Sequence, residues 1–103
     1  MTTEIRAHAS GSWLVKEGSE DGFVARWTEF LGWTRDTIPG FVSASLIRDS
    51  EDPRHFVSVA RWEDEGSRAA WKSNPAFAEK FMACRSLCEE FAGGDFDLAV
   101  HVS

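Results

Sequence analysis

The strongest constraint on the fold is a pair of extended segments that follow one another in the chain. Residues 41–48 and 55–62 are rich in the β-branched and aromatic side chains that favour strands. The acidic stretch 49–53 separates them and ends in proline, so the two segments are predicted to form an antiparallel hairpin. Pro39 and Gly40 interrupt the chain just before this hairpin.

A strand and a helix are predicted before the hairpin. The strand is predicted at residues 12–16, with an earlier part that begins near Arg6 and is interrupted by Gly11. Ser19 follows it as a helix N-cap. Residues that can form one buried face then recur at helical spacing: Phe23, Trp27, Phe30 or Leu31, and Thr34. Gly32 lies within this pattern, which indicates close backbone packing, the approach of a ligand, or a helix that ends early near Trp33.

Two helices and a strand are predicted after the hairpin. Residues 64–72 form a short helix, and Asn74 then serves as the N-cap of a second helix that begins at Pro75. This second helix is predicted to end before the glycine pair 93–94, because five residues step by four and three along it: Phe77, Phe81, Cys84, Cys88 and Phe91. Residues 96–102 are predicted to form the last strand.

The predicted order of elements is strand, helix, strand, strand, helices, strand. This order is the split βαβ arrangement, so the predicted fold class is α+β and ferredoxin-like, with an antiparallel sheet. A chain of this length forms one domain, here predicted to span residues 1–103 with its core at about 10–102. The middle strands carry apolar residues on both faces, as in Phe56 beside Val57, which predicts a homodimer that packs sheet against sheet.

The composition excludes several classes of partner. Seventeen acidic and eleven basic residues give a formal net charge of −6. Nucleic-acid binding is not expected, because it needs a basic surface that displaces counterions. No apolar run approaches the ~18 residues of a transmembrane helix, so no membrane partner is expected. The first ten residues lack the apolar segment of a signal peptide, and a cytoplasmic location is expected.

The two cysteines predict neither a disulfide nor a metal site. Cys84 and Cys88 lie one turn apart on the predicted helix, which is beyond disulfide reach without distortion. No third ligand lies nearby for zinc, so both are interpreted as small core residues.

The aromatic content is unusual for so small a chain. The sequence contains five Trp and eight Phe but no Tyr. Two interpretations remain open: a densely packed aromatic core, or a pocket with aromatic walls that accepts a flat, apolar ligand.

Three segments carry a resemblance to a known family. They are the Pro-Gly-Phe stretch at 39–41, the strand end VSVARW at 57–62, and AWKSNPAF at 70–77. With them, the chain resembles the antibiotic biosynthesis monooxygenase family over about residues 10–102. The resemblance implies a dimeric α+β barrel. The family includes cofactor-independent oxygenases of polycyclic phenols, haem-degrading enzymes and members of unknown activity.

The leading functional hypothesis from this resemblance is a cofactor-independent monooxygenase of a small aromatic or polyketide-like molecule. In such an enzyme the substrate, as its phenolate or enolate, gives an electron directly to dioxygen inside a dry pocket, and no cofactor is needed. A non-catalytic protein that binds or senses an apolar metabolite is the alternative. Haem degradation is a weaker alternative: the Asn, Trp and His of that branch fall at Gly11, Trp71 and Phe81, and phenylalanine cannot bind iron.

Trp71 is the candidate catalytic residue, because it matches a family position that reaches the pocket and its indole N–H can donate to a substrate oxygen. Alternatively, it only fastens the short helix to the sheet. The predicted ligand-binding residues are Phe23, Trp27, Trp71, Phe77 and Phe81, together with Ser43 and Ser45. His8, His55 and His101 are weaker acid–base candidates. No metal ligand is predicted.

Overall fold

The computed structural model describes residues 5–103, and residues 1–4 of the predicted domain lie outside that part. The elements in chain order are β1 (Ala7–Val15), α1 (Glu20–Thr37), β2 (Phe41–Arg48), β3 (His55–Trp62), α2 (Glu65–Ser73), α3 (Pro75–Arg85) and β4 (Cys88–Asp97). The sheet has the order β2-β3-β1-β4, and each neighbouring pair is antiparallel. The predicted α+β class and ferredoxin-like arrangement are therefore confirmed. None of the described helices is long and apolar enough to cross a membrane.

The helix starts follow local side-chain chemistry. The Asp64 carboxylate accepts the backbone N–H of Ser67 at 2.7 Å and caps α2. The Asn74 side chain accepts the N–H of Ala76 at 2.9 Å and caps α3, whose first residue is a proline. Ser19 precedes α1 as predicted, but its side chain makes no capping hydrogen bond.

The helix α1 does not end early after Gly32, which was one of the alternatives for this glycine. It continues past Trp33 to Thr37. No atom of a neighbouring element lies within 4 Å of the position that a Cβ on Gly32 would occupy. Close backbone packing at Gly32, one of the three alternatives for this position, is therefore not observed among the described residues.

The prediction for the C-terminal third of the chain is wrong in its boundaries. The last helix, α3, ends at Arg85 and does not extend to the glycine pair, and the strand that follows starts at Cys88. Gly93 and Gly94 lie within that strand, opposite β1. Residues 98–102, the rest of the predicted last strand, form no helix or strand.

A β-bulge explains this error. Leu14 pairs with Glu90, whereas Val15 pairs with Cys88, so one extra residue of β4 lies between these pairs. The extra residue brings Cys88 and Phe91 to the same face of the sheet although they are three positions apart. In the sequence this spacing is the same as the helical step.

A second irregularity, in β2, places the predicted ligand-binding residues Ser43 and Ser45 on a different face of the sheet from Phe41. The β2–β3 register shifts between Phe41, which pairs with Trp62, and Ser43, which pairs with Arg61. Directly paired residues share a face of an antiparallel sheet. Phe41 therefore lies on the face that the helices cover, whereas Ser43 and Ser45 lie on the opposite face.

The hydrophobic core lies between the sheet and the three helices and is dominated by rings. Trp13 at its centre contacts Phe23, Trp27 and Phe81 at centroid distances of 5.4–5.6 Å, and Phe91 at 4.1 Å. Most of these pairs are tilted or edge-to-face, which is the arrangement that aromatic quadrupoles favour.

The other face of the sheet is not covered by any described element. We call it the open face. It carries apolar side chains from all four strands, among them Leu14 and Val57, together with Ile47 at 59% exposure and Phe96 at 54%.

Candidate functional site

A cavity of about 200 Å³ lies between the helices and the covered face of the sheet. Trp27 and Phe30 come from α1, Trp71 and Lys72 from α2, and Phe77 and Phe81 from α3; the sheet contributes Ala9, Ser10, Gly11, Trp13, Ala44, Ser58, Val59, Ala60, Phe91, Gly93 and Gly94. Aromatic rings and small side chains thus form most of the wall. The volume exceeds the roughly 150 Å³ of a cavity that holds benzene.

The indole of Trp71 forms part of the wall, but its N–H is already bonded. Nε1 donates to Thr34 Oγ1 at 3.0 Å, and that hydroxyl in turn donates to the carbonyl of Phe30 at 2.8 Å. The Trp71 ring contacts Phe77 at 4.9 Å and Trp62 at 5.0 Å between centroids. The geometry therefore presents the ring of Trp71 to the cavity and directs its N–H towards α1.

Ser58 places a hydroxyl at the floor of the cavity. Its Oγ accepts the indole N–H of Trp13 at 3.1 Å and has only a long 3.5 Å contact to the carbonyl of Gly11. The hydroxyl proton of Ser58 is consequently held weakly. A ligand oxygen that reached this point could accept it.

Gly11 leaves space that aromatic side chains fill. A Cβ at this position would lie 2.7 Å from Phe91 Cε1 and 3.0 Å from Trp13 Nε1. The space that the Asn side chain of the haem-degrading branch would need is therefore filled here by the rings of Phe91 and Trp13. A Cβ at Gly93 would lie 2.6 Å from the same Phe91 ring, so both glycines make room for it.

A charged cluster lies at the edge of the cavity, between α2 and β4. Lys72 Nζ is 2.5 Å from Asp95 Oδ1, and Arg68 Nε is 3.5 Å from the same oxygen. Arg68 Nη1 also donates to the carbonyls of His8 at 2.9 Å and Phe96 at 3.1 Å. The cluster therefore ties α2 to the sheet.

The structure brings together four of the seven predicted ligand-binding residues. Trp27, Trp71, Phe77 and Phe81 all line the cavity. Phe23 is fully buried against Trp13 and Phe56, outside the lining. Ser43 and Ser45 project from the open face and do not line the cavity.

The three histidines lie elsewhere. None of them lines the cavity in the described part of the chain, and the lining there contains no Cys, Met or Tyr either, so the side chains that usually hold a haem iron are not found in it. No group of three metal-ligating side chains occurs within residues 5–103 either.

One histidine takes part in a Ser–His–Asp chain on the open face. His55 Nε2 is 2.8 Å from Ser12 Oγ, and His55 Nδ1 is 3.1 Å from Asp49 Oδ2. The backbone N–H of Glu51 and the His55 ring hold the pKa of the Asp49 carboxyl below its usual value. The strand β1 is paired with β3 on one side and β4 on the other, so the backbone N–H groups around Ser12 donate to these neighbouring strands. Within β1 they therefore do not form a free pair of donors that could stabilise an oxyanion.

The cysteines are core residues, as predicted, although one of them lies on a strand. Both are free and buried. Burial raises the pKa of the Cys84 thiol to about 12 and that of Cys88 to about 11. Thiolate chemistry at neutral pH is therefore disfavoured at both positions.

The fold and the aromatic cavity define a class of small α+β proteins with a ligand-sized space under the helices. Residues 7–81 match the family model described as antibiotic biosynthesis monooxygenase, so the chain belongs to that family. The match extends from β1 into α3. No curated protein matches the sequence.

Several solved structures share the fold at low sequence identity. SnoaB, a cofactor-independent oxygenase from Streptomyces nogalater, has a TM-score of 0.84 and 21% identity, covering 96% of this chain and 97% of that one. A conserved protein from Methanosarcina mazei Go1 has a TM-score of 0.80 and 17% identity, covering 89% and 91%. Protein SO0527 from Shewanella oneidensis has a TM-score of 0.79 and 20% identity, covering 93% of each chain.

The polar residues that line the cavity were not among the predicted site residues. Ser58 lies in an apolar strand, and alternation within that strand could have placed it on the same face as Phe56 and Trp62. Lys72 follows the candidate Trp71 directly, but its partner Asp95 could not be found while β4 was placed too late in the chain.

Proposed function

We propose that this protein is a cofactor-independent monooxygenase that oxidises a small aromatic or polyketide-like molecule in the cavity beneath its helices. The observation that supports this proposal is the aromatic cavity itself, in a chain that belongs to the antibiotic biosynthesis monooxygenase family. The similar protein SnoaB is described as a cofactor-independent oxygenase, which favours the same class of reaction here.

The proposed chemistry balances without a cofactor. Oxidation of an activated CH₂ group to a carbonyl consumes one O₂ and releases one water, and the substrate supplies all the electrons. The enzyme has to hold the substrate as its electron-rich anion and to keep bulk water away. The rings of Trp27, Trp71, Phe77 and Phe81 keep bulk water away. The Ser58 hydroxyl, the Lys72 ammonium and the buried Trp27 indole N–H, which has no hydrogen-bond partner among the described residues, are polar groups available to hold the anion.

In this proposal Trp71 acts through its ring. Its N–H is bonded to Thr34, so we assign Trp71 the role of orienting a flat substrate by stacking or edge contact. Phe23 supports the wall from behind through Trp13, and no direct contact with the substrate is proposed for it.

We also propose that two chains form a homodimer through their open faces. The exposed apolar side chains Ile47 and Phe96 would be buried in such a pair. Ser43 and Ser45 would then lie at the interface, since both project from that face.

A non-catalytic binding protein is the second candidate, and a specific observation favours it. Among the described residues that line the cavity there is no His, Asp or Glu that could accept a substrate proton. A protein that only binds an aromatic metabolite needs no such group.

Oxygen uptake distinguishes these two candidates. The purified protein, with a chelator and no added cofactor, is mixed with a panel of anthrone-like and naphthol-like compounds. We expect uptake above the uncatalysed rate, reduced in Trp71→Phe and retained in Trp33→Phe, since Trp33 does not line the cavity. Absence of uptake, with quenching of Trp fluorescence by the same compounds, would favour the binding protein.

A further inference from the structure

Lys72 is an isolated charge in an otherwise neutral cavity wall. Among the described residues that line the cavity, it is the one with an ionisable side chain. Its side chain is 37% exposed, whereas the neighbouring Trp71 is buried. Lys72 on α2 and Gly93 on β4 are the exposed members of the lining, which places the opening of the cavity between these two elements.

The charge of Lys72 is only partly compensated where it lies. Asp95 is shared between Lys72 and Arg68, so one carboxylate faces two cations. The second carboxylate of the cluster, Asp97, is 3.9 Å from Arg68 and largely exposed, which makes it a weak partner.

Arg68 is fixed, whereas Lys72 can move. The Arg68 side chain is 90% buried and donates to two backbone carbonyls in addition to its contact with Asp95. Asp95 therefore keeps a cationic partner if Lys72 turns away. Lys72 is held by Asp95 at the end of a flexible four-carbon chain, and its ammonium can swing from Asp95 to a group in the opening.

From this arrangement we propose that Lys72 binds the anionic oxygen of an aromatic ligand whose ring system lies in the cavity. The inference rests on the proposed function, because it uses the same cavity as the substrate site. The volume of about 200 Å³ accommodates one to two fused rings, so the ligand is a compact aromatic with a carboxylate or phenolate at one edge. The rings enter between α2 and β4, and the anionic edge remains at the opening beside Lys72.

A pair of probes with the same shape and different charge tests this assignment. The full-length protein is titrated with 2-naphthoate and with the neutral 2-naphthamide, and binding is followed by quenching of its Trp fluorescence. We expect wild type to bind the carboxylate about tenfold more tightly than the amide, as for a charge-assisted hydrogen bond. Lys72→Met removes this preference and leaves the affinity for the amide unchanged, whereas Lys72→Arg retains it.

Lys80→Met is the matched control. It changes the net charge by the same amount, but Lys80 lies on α3 over the ring of Trp33 and does not line the cavity. We expect this variant to keep the wild-type preference for the carboxylate. A loss of preference in both lysine variants would indicate an effect of overall charge and would overturn the assignment to Lys72.

Other outcomes separate this inference from the proposed function. Equal affinity of wild type for both probes, or equal weakening of both in Lys72→Met, contradicts a direct role for the Lys72 charge. A Lys72-dependent preference without any oxygen uptake supports the anion site and removes the monooxygenase. If neither probe binds wild type, the anion site at Lys72 is wrong, and the oxygen-uptake measurement alone decides on the monooxygenase.

Discussion

The indole N–H of Trp71 donates to the hydroxyl of Thr34 across 3.0 Å and joins α2 to α1 at the cavity wall. Both side chains are buried. The candidate catalytic tryptophan is therefore held in one orientation by a neighbouring helix, with its ring towards the cavity. This contact links the stability of the fold to the shape of the proposed site.

Thr34→Val tests the strength of that contact. Valine keeps the shape of threonine but leaves the buried N–H of Trp71 without an acceptor, which costs about 1–3 kcal/mol. We expect urea unfolding to show a loss of this size. Thr28→Val is the control. The exposed Thr28 hydroxyl donates to the carbonyl of Val24 at 2.8 Å, just as the Thr34 hydroxyl donates to that of Phe30. The free energy of unfolding of this variant should change by no more than about 0.5 kcal/mol. Equal losses in the two variants would show that the contact with Trp71 contributes nothing.

Two glycines should respond oppositely to alanine. A Cβ on Gly32 meets open space in the interior of α1, so Gly32→Ala should raise the free energy of unfolding by about 0.5–1 kcal/mol. A Cβ on Gly93 would lie 2.9 Å from the backbone carbonyl of Ser10, so Gly93→Ala should lower it by about 1–3 kcal/mol. Thermal unfolding of both variants measures this difference. Destabilisation by Gly32→Ala would mean that another molecule packs on this part of α1.

The buried thiols should be unreactive in the folded protein. With pKa values of about 12 for Cys84 and about 11 for Cys88, at most on the order of one thiol in a thousand is ionised at pH 8. We expect an aromatic disulfide reagent to modify neither cysteine at pH 8 until denaturant is added, and then to modify both. Because burial raises both values above that of an unfolded thiol, stability should fall as the pH rises from about 9 towards 12. Rapid modification of the native protein would contradict the burial of these side chains.

If two chains associate through their open faces, a charge introduced on that face should weaken the dimer. Light scattering at micromolar concentration should give twice the 11.5 kDa mass of one chain. Ile47→Glu places a carboxylate at the proposed interface and should shift the protein towards the monomer. Met82→Glu is the control, since Met82 is similarly exposed but lies on α3. A wild-type monomer would remove the proposed dimer.

The sequence predicted most of the fold because its signals there were local. The bounds of β2 and β3 and the start of α3 at Pro75 match the structure, since turn residues and a cap mark them directly. The last strand could not be placed, because a bulge in β4 gives Cys88 and Phe91 a helix-like spacing. Bulges depend on the partner strand, and a single segment does not encode them visibly.

The candidate site was predictable in its walls and not in its polar groups. Aromatic residues at helical spacing identified Trp27, Phe77 and Phe81, because a helix face is periodic. The partners of Trp71 and Lys72 come from other elements, 37 and 23 positions away. Only the assembled fold brings such pairs together.

The most direct test of the proposed oxygenase activity is to measure oxygen uptake after a larger side chain has filled the cavity. Ala44→Leu places a larger side chain into the cavity from β2, and Ala83→Leu makes the same change on the exposed side of α3. We predict that Ala44→Leu folds normally by circular dichroism and loses substrate-dependent oxygen uptake, whereas Ala83→Leu retains the wild-type rate. Wild-type uptake by a folded Ala44→Leu protein would show that the reaction takes place outside this cavity.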